Sequence, residues 1–402
     1  MPLRRSLALW IAVTVALRAA WLARYPPVIA WDGIIYARTA LRIARGLGFI
    51  DTWNNLPPYK PTAFYPVGYP ALLGLGHALA GPSPWVAGAL NVLAAALAVA
   101  CVVALARRAF GPGREHLPAA LYALSPGAVM YASTFMTETV SGALVTLTVL
   151  LAARHADEGR DRDAALTGLL LGVSGLVRPQ VLALAPLVAL MAAPSTAWKA
   201  RARTVLIMGA VACAVVLPWT ARNCAQLDGC ALVSVNGGSN LWIGTDPTAE
   251  GNYRDLRFGE GCDRTRGEVS KDRCYGREAR ERIAAAPLDW LSLAPMKVQA
   301  LLDYEAAPAV YLRFARVLTP ARSEWFIKWL TAWHRVTLAL ALLALATARA
   351  WPGALRLCVA AVAGTVAVHC VFFGGDRYHF VFTPLLCVVA GAVLPPKPGA
   401  RP

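Results

Sequence analysis

The sequence predicts an all-α polytopic membrane protein with about 10 transmembrane helices, on three observations. Of its 402 residues, 57% are hydrophobic and 15% are charged, whereas a soluble protein carries roughly a quarter charged residues. Uncharged apolar blocks recur along the chain, as at residues 83–106, and blocks of about 18 or more predict helices that span a bilayer. The net charge of +16 comes from short basic clusters between these blocks. This distribution is typical of membrane topology and argues against nucleic acid as a partner.

The apolar blocks define the predicted spans and their orientation. The spans are residues 7–24, 83–106, 115–133, 138–153, 164–177, 180–193, 204–221, 326–347, 354–373 and 378–394. Loops on one side, together with both tails, hold most of the short-loop basic residues, such as Arg107, Arg108, Arg201 and Arg203. Basic loops stay in the cytoplasm, so both termini are predicted to be cytoplasmic in the cytoplasmic (inner) membrane. The first span lacks a small-residue cleavage site, which predicts a retained helix.

The chain divides into three predicted parts. Residues 1–221 form a transmembrane core whose first outer loop, residues 25–82, carries the candidate catalytic residue. Residues 222–325 are polar enough to fold as a small extracytoplasmic domain, and residues 326–402 return to transmembrane helices and a cytoplasmic tail. In the first outer loop, Pro26 and Pro27 end the first helix. Two amphipathic or short apolar stretches, from Gly33 to Gly48 and at 65–81, are predicted to be juxtamembrane helices rather than spans.

Four cysteines lie in the predicted outer domain: Cys224, Cys230, Cys262 and Cys274. On the outer face they predict two disulfides, with Cys224–Cys230 and Cys262–Cys274 as the simplest of three possible connectivities. A metal site there is less favoured, because no CxxC pair or loop histidine accompanies them. The five remaining cysteines lie in apolar blocks and are predicted to be small core residues.

Asp32, within WDGIIYARTALRIARGLGFI at 31–50, is the first candidate for chemistry. Its residue type alone favours a solvated helix N-cap, because Asp before Gly33 is a common helix start. The alternative is a general base at the membrane surface, since a carboxylate can take the proton from an attacking hydroxyl. The two interpretations are compatible, because a capping carboxylate is also well oriented. Tyr36, four residues later, lies on the same helical face.

Three cations lie at the outer ends of apolar blocks: Lys60, Arg178 and Arg377. They either reach the interface and set topology, or they cluster around a phosphate, which Arg binds bidentately and Lys as a point charge. The break at Arg178-Pro179, between residues 164–177 and 180–193, is tolerated at membrane depth only where the backbone faces protein or water. Glu138, at a predicted outer helix end, is a functional candidate unless it reaches water. Tyr378 follows Arg377 and completes the candidate substrate-binding set.

Residues 232–253 are rich in Gly and Asn. They predict either a loop of tight turns or a cleft in which Asn amides and Trp242 contact a sugar or an acceptor. His369 and His379 flank the final outer loop and are predicted to be structural. The sequence contains no HExxH, P-loop or GxSxG motif, so no metal or cofactor site is assigned.

Several motifs follow one another along nearly the whole chain. They are WDGIIYARTALRIARGLGFI, PTAFYPVGYPALLGL, RRAFGP, ALSPGAVMYASTFMTE, GLLLGVSGLVRPQ, LPWTARN, SVNGGSNLWIGTDPTAEGNY and GGDRYHFVFTPLL. With the predicted topology, this series resembles the GT-C glycosyltransferase superfamily. The resemblance is to its bacterial branch of protein mannosyltransferase-like and aminoarabinose transferase-like enzymes, which is similar to glycosyltransferase family 39. Each motif alone is loose, and their order makes the resemblance specific.

The resemblance implies an inverting transfer of a sugar from a polyprenyl-phosphate donor to an acceptor protein, lipid or glycan, outside the cytoplasmic membrane. The acidic residue of the family's first loop acts as base and matches Asp32. The family's cationic cavity residues match Lys60, Arg178 and Arg377. Many relatives carry two adjacent acids in the first loop, whereas Gly33 stands at the second position here. This weakens the case for a metal held by paired acids, and a divalent cation remains an alternative.

Two other functions are consistent with the sequence. Broken helices at 164–193 around an arginine also suit a transporter or flippase for a lipid-linked sugar, although the inverted repeat that such folds contain is not visible. A non-catalytic polyprenyl-binding scaffold is the third possibility, and its function would survive the loss of Asp32. Sugar transfer by an Asp32→Asn variant separates these three interpretations.

Overall fold

The computed structural model describes residues 1–50, 60–347 and 351–394. Within these ranges the chain forms helices and no strand, with isolated bridges from Val28 to Thr134 and from Ile50 to Pro61. The prediction of an all-α fold is confirmed. The α-helices are α1 (Leu3–Arg24), α2 (Asp32–Ala44), α3 (Gly68–Ala80), α4 (Trp85–Phe110), α5 (His116–Ala123), α6 (Pro126–Met130), α7 (Glu138–Glu158), α8 (Asp161–Val177), α9 (Ala185–Met191), α10 (Trp198–Gln226), α11 (Gly237–Ile243), α12 (Glu268–Ala285), α13 (Pro287–Ser292), α14 (Ala294–Leu302), α15 (Ala307–Phe314), α16 (Pro320–Thr347), α17 (Gly353–Val371), α18 (Asp376–His379) and α19 (Thr383–Ala390). The predicted cytoplasmic tail at 395–402 lies outside the described residues.

Six described helices are long and apolar enough to cross a membrane: α1, α4, α7, α10, α16 and α17. The chain is therefore a multi-pass membrane protein, but the predicted count of about 10 spans is not confirmed. The four other predicted segments are short or broken. Residues 115–133 split into α5 and α6, with Pro126 starting the second helix, and residues 378–394 split around Pro384. The remaining two, α8 and α9, are 17 and 7 residues long.

The bundle has a buried centre and an apolar outer surface. Helix α7 is central, with 72% of its apolar window buried, whereas the corresponding windows of α1 and α10 are only 22% buried. Apolar side chains that remain exposed on such helices suit contact with lipid. This explains the position of Cys213, which is exposed on α10, so the prediction of a core role is wrong for this cysteine. Cys101, Cys358 and Cys387 are buried as predicted, and Cys370 is half-buried.

One end of the bundle collects the basic clusters. There the C-terminal end of α4 meets the C-terminal end of α7, and Arg108 pairs with Asp157 at 2.5 Å and with Glu158 at 2.9 Å. Arg203, near the start of α10, pairs with Asp161 at the start of α8. The opposite end brings together the starts of α2 and α7, the end of α8, and α18. The candidate site residues therefore lie at the end opposite the basic clusters.

The first outer loop contains both predicted juxtamembrane helices. Helix α1 ends at Arg24, just before the two prolines, and α2 and α3 pack against each other as helices of 13 residues. Helix α2 ends at Ala44, so the predicted apolar stripe does not continue to Gly48, and Gly46, just after the C-cap Arg45, has a φ of +75°. This region of φ favours glycine and terminates a helix.

The polar segment after α10 folds over the first outer loop. Both predicted disulfides, Cys224–Cys230 and Cys262–Cys274, are present. The carboxylate of Glu268, at the start of α12, accepts hydrogen bonds from the Thr62 hydroxyl at 2.6 Å and the Ala63 amide at 2.9 Å. Arg222 donates to the carbonyl oxygens of Thr62 and Phe49 at 2.8 and 2.6 Å. These bonds hold the segment that carries Lys60 and Tyr65 against the bundle.

Candidate active site

A cavity of about 1810 Å³ opens between the first outer loop, the outer ends of α8 and α17, and the polar domain. Six of the predicted candidates contribute to its wall: Asp32, Tyr36, Lys60, Arg178, Arg377 and Tyr378. These residues come from four separate stretches of the sequence. The fold therefore brings the predicted carboxylate and the predicted cations to one space.

Asp32 is the first residue of α2, and its side chain does not cap the helix. Trp31 takes the N-cap position with a φ of +51°, and the cap has no side-chain hydrogen bond. The Asp32 carboxylate instead turns to the cavity, where Oδ2 lies 2.8 Å from Nη1 of Arg377. The hydroxyl of Tyr65 donates to Oδ1 at 2.9 Å. The solvated N-cap interpretation is wrong for this carboxylate, which has two polar partners across the cavity wall.

The environment of Asp32 keeps its carboxylate ionised. Burial alone would raise the pKa of Asp32, but the charge and hydrogen bond of Arg377 and the hydrogen bond from Tyr65 outweigh it. The pKa therefore lies below its usual value of 3.8. Burial and the nearby Asp32 charge raise the pKa of Tyr65, so this phenol remains a hydrogen-bond donor. A proton acceptor and a fixed donor thus face the cavity together.

Glu138 bridges the two arginines beneath Asp32. It is the first residue of α7, it is fully buried, and its Oε1 lies 2.6 Å from Nη2 of Arg178 and 3.2 Å from Nε of Arg377. The Nε of Arg178 also donates to the Thr137 hydroxyl at 2.8 Å. A carboxylate at a helix N-terminus is stabilised by the helix dipole. Glu138 does not reach water, and its carboxylate forms ion pairs with both guanidinium groups.

Aromatic rings support these charged groups. The ring of Tyr36 lies edge to face with those of Tyr65 and Tyr69, each at 5.3 Å. The guanidinium carbons of Arg178 and Arg377 lie 5.5 and 5.2 Å from the centre of the Tyr378 ring, within the range of cation–π attraction. Tyr36 thus packs against the phenol that bonds Asp32, and the Tyr378 ring lies against both arginines.

Lys60 is placed differently from the two arginines. It is exposed at the rim of the cavity, whereas Arg178 is buried and Arg377 is half-buried. The predicted trio of cations therefore separates into an inner pair, held by Glu138, and an outer lysine near solvent.

Both arginines lie where a helix ends or begins, and this places their side chains at the cavity. Helix α8 ends at Val177, Arg178 adopts an extended backbone, and Pro179 starts a short 3₁₀ helix. The predicted break at Arg178-Pro179 is thus confirmed and lines the cavity, and its depth in the membrane stays a prediction. Arg377 lies two residues after Gly375, the N-cap of α18. The φ of Gly375 is +141°, a backbone conformation that residues with a side chain rarely adopt.

Sequence reasoning missed two residues of the site and misplaced one. Tyr65 lies within PTAFYPVGYP, but nothing local indicates that its hydroxyl reaches Asp32. The carboxylate of Asp376 accepts hydrogen bonds from the amides of Ala306 and Ala307, both at 2.6 Å, and so anchors α18 to the start of α15.

Trp242 does not line the cavity. It is buried in the core of the polar domain, where its indole donates to Glu278 at 3.0 Å. Helix α11 replaces part of the predicted loop of turns, and Asn236, Asn240 and Asn252 line the cavity as the alternative interpretation predicted. His369 has a structural partner, because its Nδ1 donates to the carbonyl of Phe373 at 2.8 Å.

Gly33 decides whether paired acids could hold a metal here. A Cβ atom at this position would lie 2.9 Å from the carbonyl oxygen of Phe135, closer than side chains tolerate. Among the described residues, Asp32 belongs to no group of three convergent His, Cys, Asp or Glu side chains. The residues around Asp32 therefore do not fit a cation held by adjacent acids.

Comparison with protein families matches residues 65–221 to the family described as dolichyl-phosphate-mannose-protein mannosyltransferase. The matched part contains Tyr65, Glu138 and Arg178, whereas Asp32 and Arg377 lie outside it. No curated protein matches the sequence significantly.

Solved structures with a similar fold include the oligosaccharyltransferase of Archaeoglobus fulgidus tethered with an acceptor peptide. It is 13% identical with a TM-score of 0.57, over 97% of this chain and 49% of that protein. The same archaeal protein, AglB, in complex with an inhibitory peptide and a dolichol-phosphate gives 13% identity and a TM-score of 0.52, over 96% and 50%. ArnT from Cupriavidus metallidurans bound to undecaprenyl phosphate gives 16% identity and a TM-score of 0.44, over 95% and 77%.

At these identities the likeness to solved structures concerns the fold. The chain spans about half the length of the archaeal protein. The mannosyltransferase family match over residues 65–221 and the fold shared with the archaeal oligosaccharyltransferase confirm the GT-C resemblance predicted from the motifs.

Proposed function

We propose that this chain, which has the fold of the GT-C glycosyltransferases, moves a sugar from a polyprenyl-phosphate-linked donor to an acceptor hydroxyl, with inversion at the anomeric carbon. The observation that carries the proposal is the pairing of Asp32 with Arg377 at 2.8 Å on the wall of a cavity that Arg178 also lines. A carboxylate beside two arginines provides a proton acceptor next to a phosphate site.

In the proposed reaction, the acceptor oxygen attacks the anomeric carbon as the bond from that carbon to the phosphate oxygen breaks. The hydroxyl proton passes to Asp32. The donor phosphate, a singly charged diester, leaves as a polyprenyl phosphate monoester that carries one more negative charge. Arg178 and Arg377 stabilise this developing charge most effectively where the cavity excludes bulk water. A single displacement, with the acceptor oxygen attacking from the side opposite the leaving phosphate, inverts the configuration at the anomeric carbon.

Arg377 has two roles in this scheme. Before the donor binds, its guanidinium neutralises Asp32 and weakens the carboxylate as a base. A phosphate entering beside Arg377 competes for the same N–H groups, because carboxylate and phosphate both bind guanidinium bidentately. Donor binding thus frees Asp32 when the acceptor hydroxyl needs it. Glu138 keeps Arg377 from following the phosphate away, since Oε1 holds its Nε at 3.2 Å.

The membrane topology fits the same proposal. The basic clusters and the candidate site lie at opposite ends of the bundle, and basic loops stay in the cytoplasm. We therefore place both termini in the cytoplasm and the active site on the outer face of the cytoplasmic membrane. The two disulfides support this orientation, because they form in an oxidising compartment.

The test measures sugar transfer by the purified full-length protein in lipid nanodiscs. Undecaprenyl-phosphate donors that carry mannose, aminoarabinose and other sugars are offered with extracts of cell-envelope protein, lipid and glycan as acceptors. We expect transfer with at least one donor, and loss of transfer in Asp32→Asn. The matched control is Asp157→Asn, which removes an exposed carboxylate paired with Arg108 at 2.5 Å, at the end of the bundle opposite the candidate site.

The control variant is expected to retain transfer. Wild-type protein that transfers no sugar from any donor, yet moves a lipid-linked sugar across a vesicle membrane, would instead support the transporter. Wild-type protein that binds the donors without either activity would support the scaffold.

A further inference from the structure

A second cluster of ionisable side chains lies inside the bundle, outside the cavity wall. Glu305, His334 and His379 are 3%, 3% and 0% exposed, and their nearest ligand atoms all lie within 4.8 Å of one another. They come from the segment before α15, from α16 and from α18. The imidazole rings stack with centres 4.0 Å apart, and Nε2 of His379 lies 3.6 Å from Oε2 of Glu305.

Backbone carbonyls determine which nitrogen of each histidine carries a proton. Nδ1 of His379 contacts the carbonyl of Leu301 at 2.7 Å, and Nε2 of His334 contacts the carbonyl of Leu302 at 2.9 Å. A carbonyl oxygen only accepts hydrogen bonds, so both of these nitrogens are N–H donors. In neutral imidazoles the other nitrogens, Nε2 of His379 and Nδ1 of His334, are therefore unprotonated. Nε2 of His379 therefore turns a lone pair toward Glu305, and Nδ1 of His334 is the ring nitrogen left to bind a cation.

Among the described residues, no hydrogen bond joins these three side chains. Within the described residues, Oε1 of Glu305 and Nε2 of His379 are buried and have no hydrogen-bond partner. A lone pair facing a buried carboxylate is repulsive, and leaving a buried charge unpaired is strongly unfavourable. The backbone amide of Glu305 does not donate a hydrogen bond to this carboxylate, because it donates to the Thr331 hydroxyl at 3.1 Å. A positive charge between these atoms would remove the repulsion.

We propose that Glu305, His334 and His379 bind a divalent metal cation, and that the cation is zinc. Two neutral imidazoles and one carboxylate are a ligand set that zinc favours over magnesium or calcium, which prefer oxygen. Histidine ligands of zinc typically donate their second ring nitrogen to a backbone carbonyl, as both rings do here. At bond lengths of about 2.0–2.2 Å, neighbouring ligand atoms would be roughly 3.4 Å apart. Closing on the ion requires small rotations of both rings and of the carboxylate.

This metal would stabilise the proposed active site without touching it. His379 belongs to the four-residue helix that also carries Arg377. Glu305 directly precedes the two amides that hold Asp376. A zinc ion would therefore tie the helix that carries Arg377 to α16 and to the start of α15. The metal site stands on its own geometry, independently of the proposed sugar transfer.

The test is the metal content of the full-length protein, purified through a tag that does not use metal affinity. Inductively coupled plasma mass spectrometry is expected to find about one zinc ion per chain, and Glu305→Gln and His379→Asn are expected to lose most of it. The matched control is His155→Asn. This buried histidine already has a partner on each ring nitrogen, the carbonyl of Arg160 at 2.9 Å and the Thr204 hydroxyl at 3.0 Å. Its replacement is expected to leave the zinc content unchanged.

A second measurement covers variants that fail to fold. Thermal unfolding of the wild-type protein is recorded with a zinc chelator and again after zinc is restored. The proposal expects a lower midpoint with the chelator and recovery with zinc but not with magnesium. Less than about a tenth of an ion per chain, with a midpoint that neither chelator nor zinc moves, would overturn it. The cluster would then be balanced by a proton on His379.

Discussion

Replacing Arg377 with glutamine removes the cation that keeps Asp32 ionised, and it should change how the reaction depends on pH. In the wild-type protein, the pKa of Asp32 lies below 3.8 because Arg377 and Tyr65 outweigh the effect of burial. A base with a lowered pKa stays ionised until the pH falls through that pKa. Between pH 5 and pH 8, the wild-type rate should therefore show no decrease that comes from protonation of Asp32.

The size of the change follows from the geometry of the pair. Unit charges about 4 Å apart attract by about 4 kcal/mol at an effective dielectric constant of about 20. The two side chains are 25% and 23% exposed, so water screens part of this attraction. A loss of about 1.4–3 kcal/mol moves the acid limb of the pH profile upward by about 1–2 pH units. Burial, which Arg377→Gln leaves in place, acts in the same direction.

The assay is kcat/KM for sugar transfer from pH 4 to pH 8, with folding at each pH checked by circular dichroism. Arg377→Gln should lower the rate at every pH, because a phosphate ligand is lost, and should also bring the acid limb into view. The matched control, Lys60→Gln, removes a cation from the rim of the same cavity. It should weaken donor binding and leave the acid limb in place. If the profiles of Arg377→Gln and wild type have the same shape, Arg377 does not control the base.

Three further changes test the surroundings of the site. Tyr65→Phe removes the hydrogen bond at 2.9 Å to Asp32 and should move the acid limb in the same direction as Arg377→Gln but less far, in the same assay. Glu138→Gln leaves the two arginines without their shared buried counterion and should destabilise the fold by about 3 kcal/mol; an unchanged midpoint of thermal unfolding would contradict this. The double variant Cys262→Ser, Cys274→Ser removes the disulfide that closes a loop of sequence separation 12 and should lower the stability of the polar domain by about 2–3 kcal/mol. A protease should then cut this domain faster in limited proteolysis. Equal cleavage rates for the variant and the wild type would count against a stabilising role of the disulfide.

Local sequence signals predicted the elements that carry the site. Pro26 and Pro27 end α1, Asp32 begins α2, and the Arg178-Pro179 pair ends α8. Each signal acts through the backbone of its own neighbours, since proline removes an amide donor and a break needs polar surroundings. The disulfide pairing was similarly local, with the simplest connectivity correct.

The partners of the site residues could not be predicted in this way. Glu138 bridges Arg178 and Arg377, which lie 40 and 239 positions further along the chain, and only the packing of α7 against α8 and α18 defines that contact. The Gly- and Asn-rich sequence around Trp242 is the same whether its side chain faces a cleft or the core of a domain, so it does not distinguish the two. Pattern reasoning treated His379 as an isolated structural histidine, because Glu305 and His334 approach it from distant segments.

The number of spans was the least predictable property of the fold. Hydropathy does not distinguish one continuous spanning helix from two short consecutive helices, so the count of about 10 spans stays a prediction. Residues 115–133 and 378–394 are apolar because they are buried among other helices, where prolines interrupt them without exposing the backbone to lipid.

The most direct test of the central claim is the single-turnover rate of sugar transfer by Asp32→Asn with the donor already bound. Asparagine retains the size of the side chain and an oxygen that accepts from Tyr65, but it cannot take the proton of the acceptor. We predict a rate constant lower by about 10²–10⁴-fold, with donor affinity changed much less. A rate constant within about threefold of wild type would show that Asp32 is not the base.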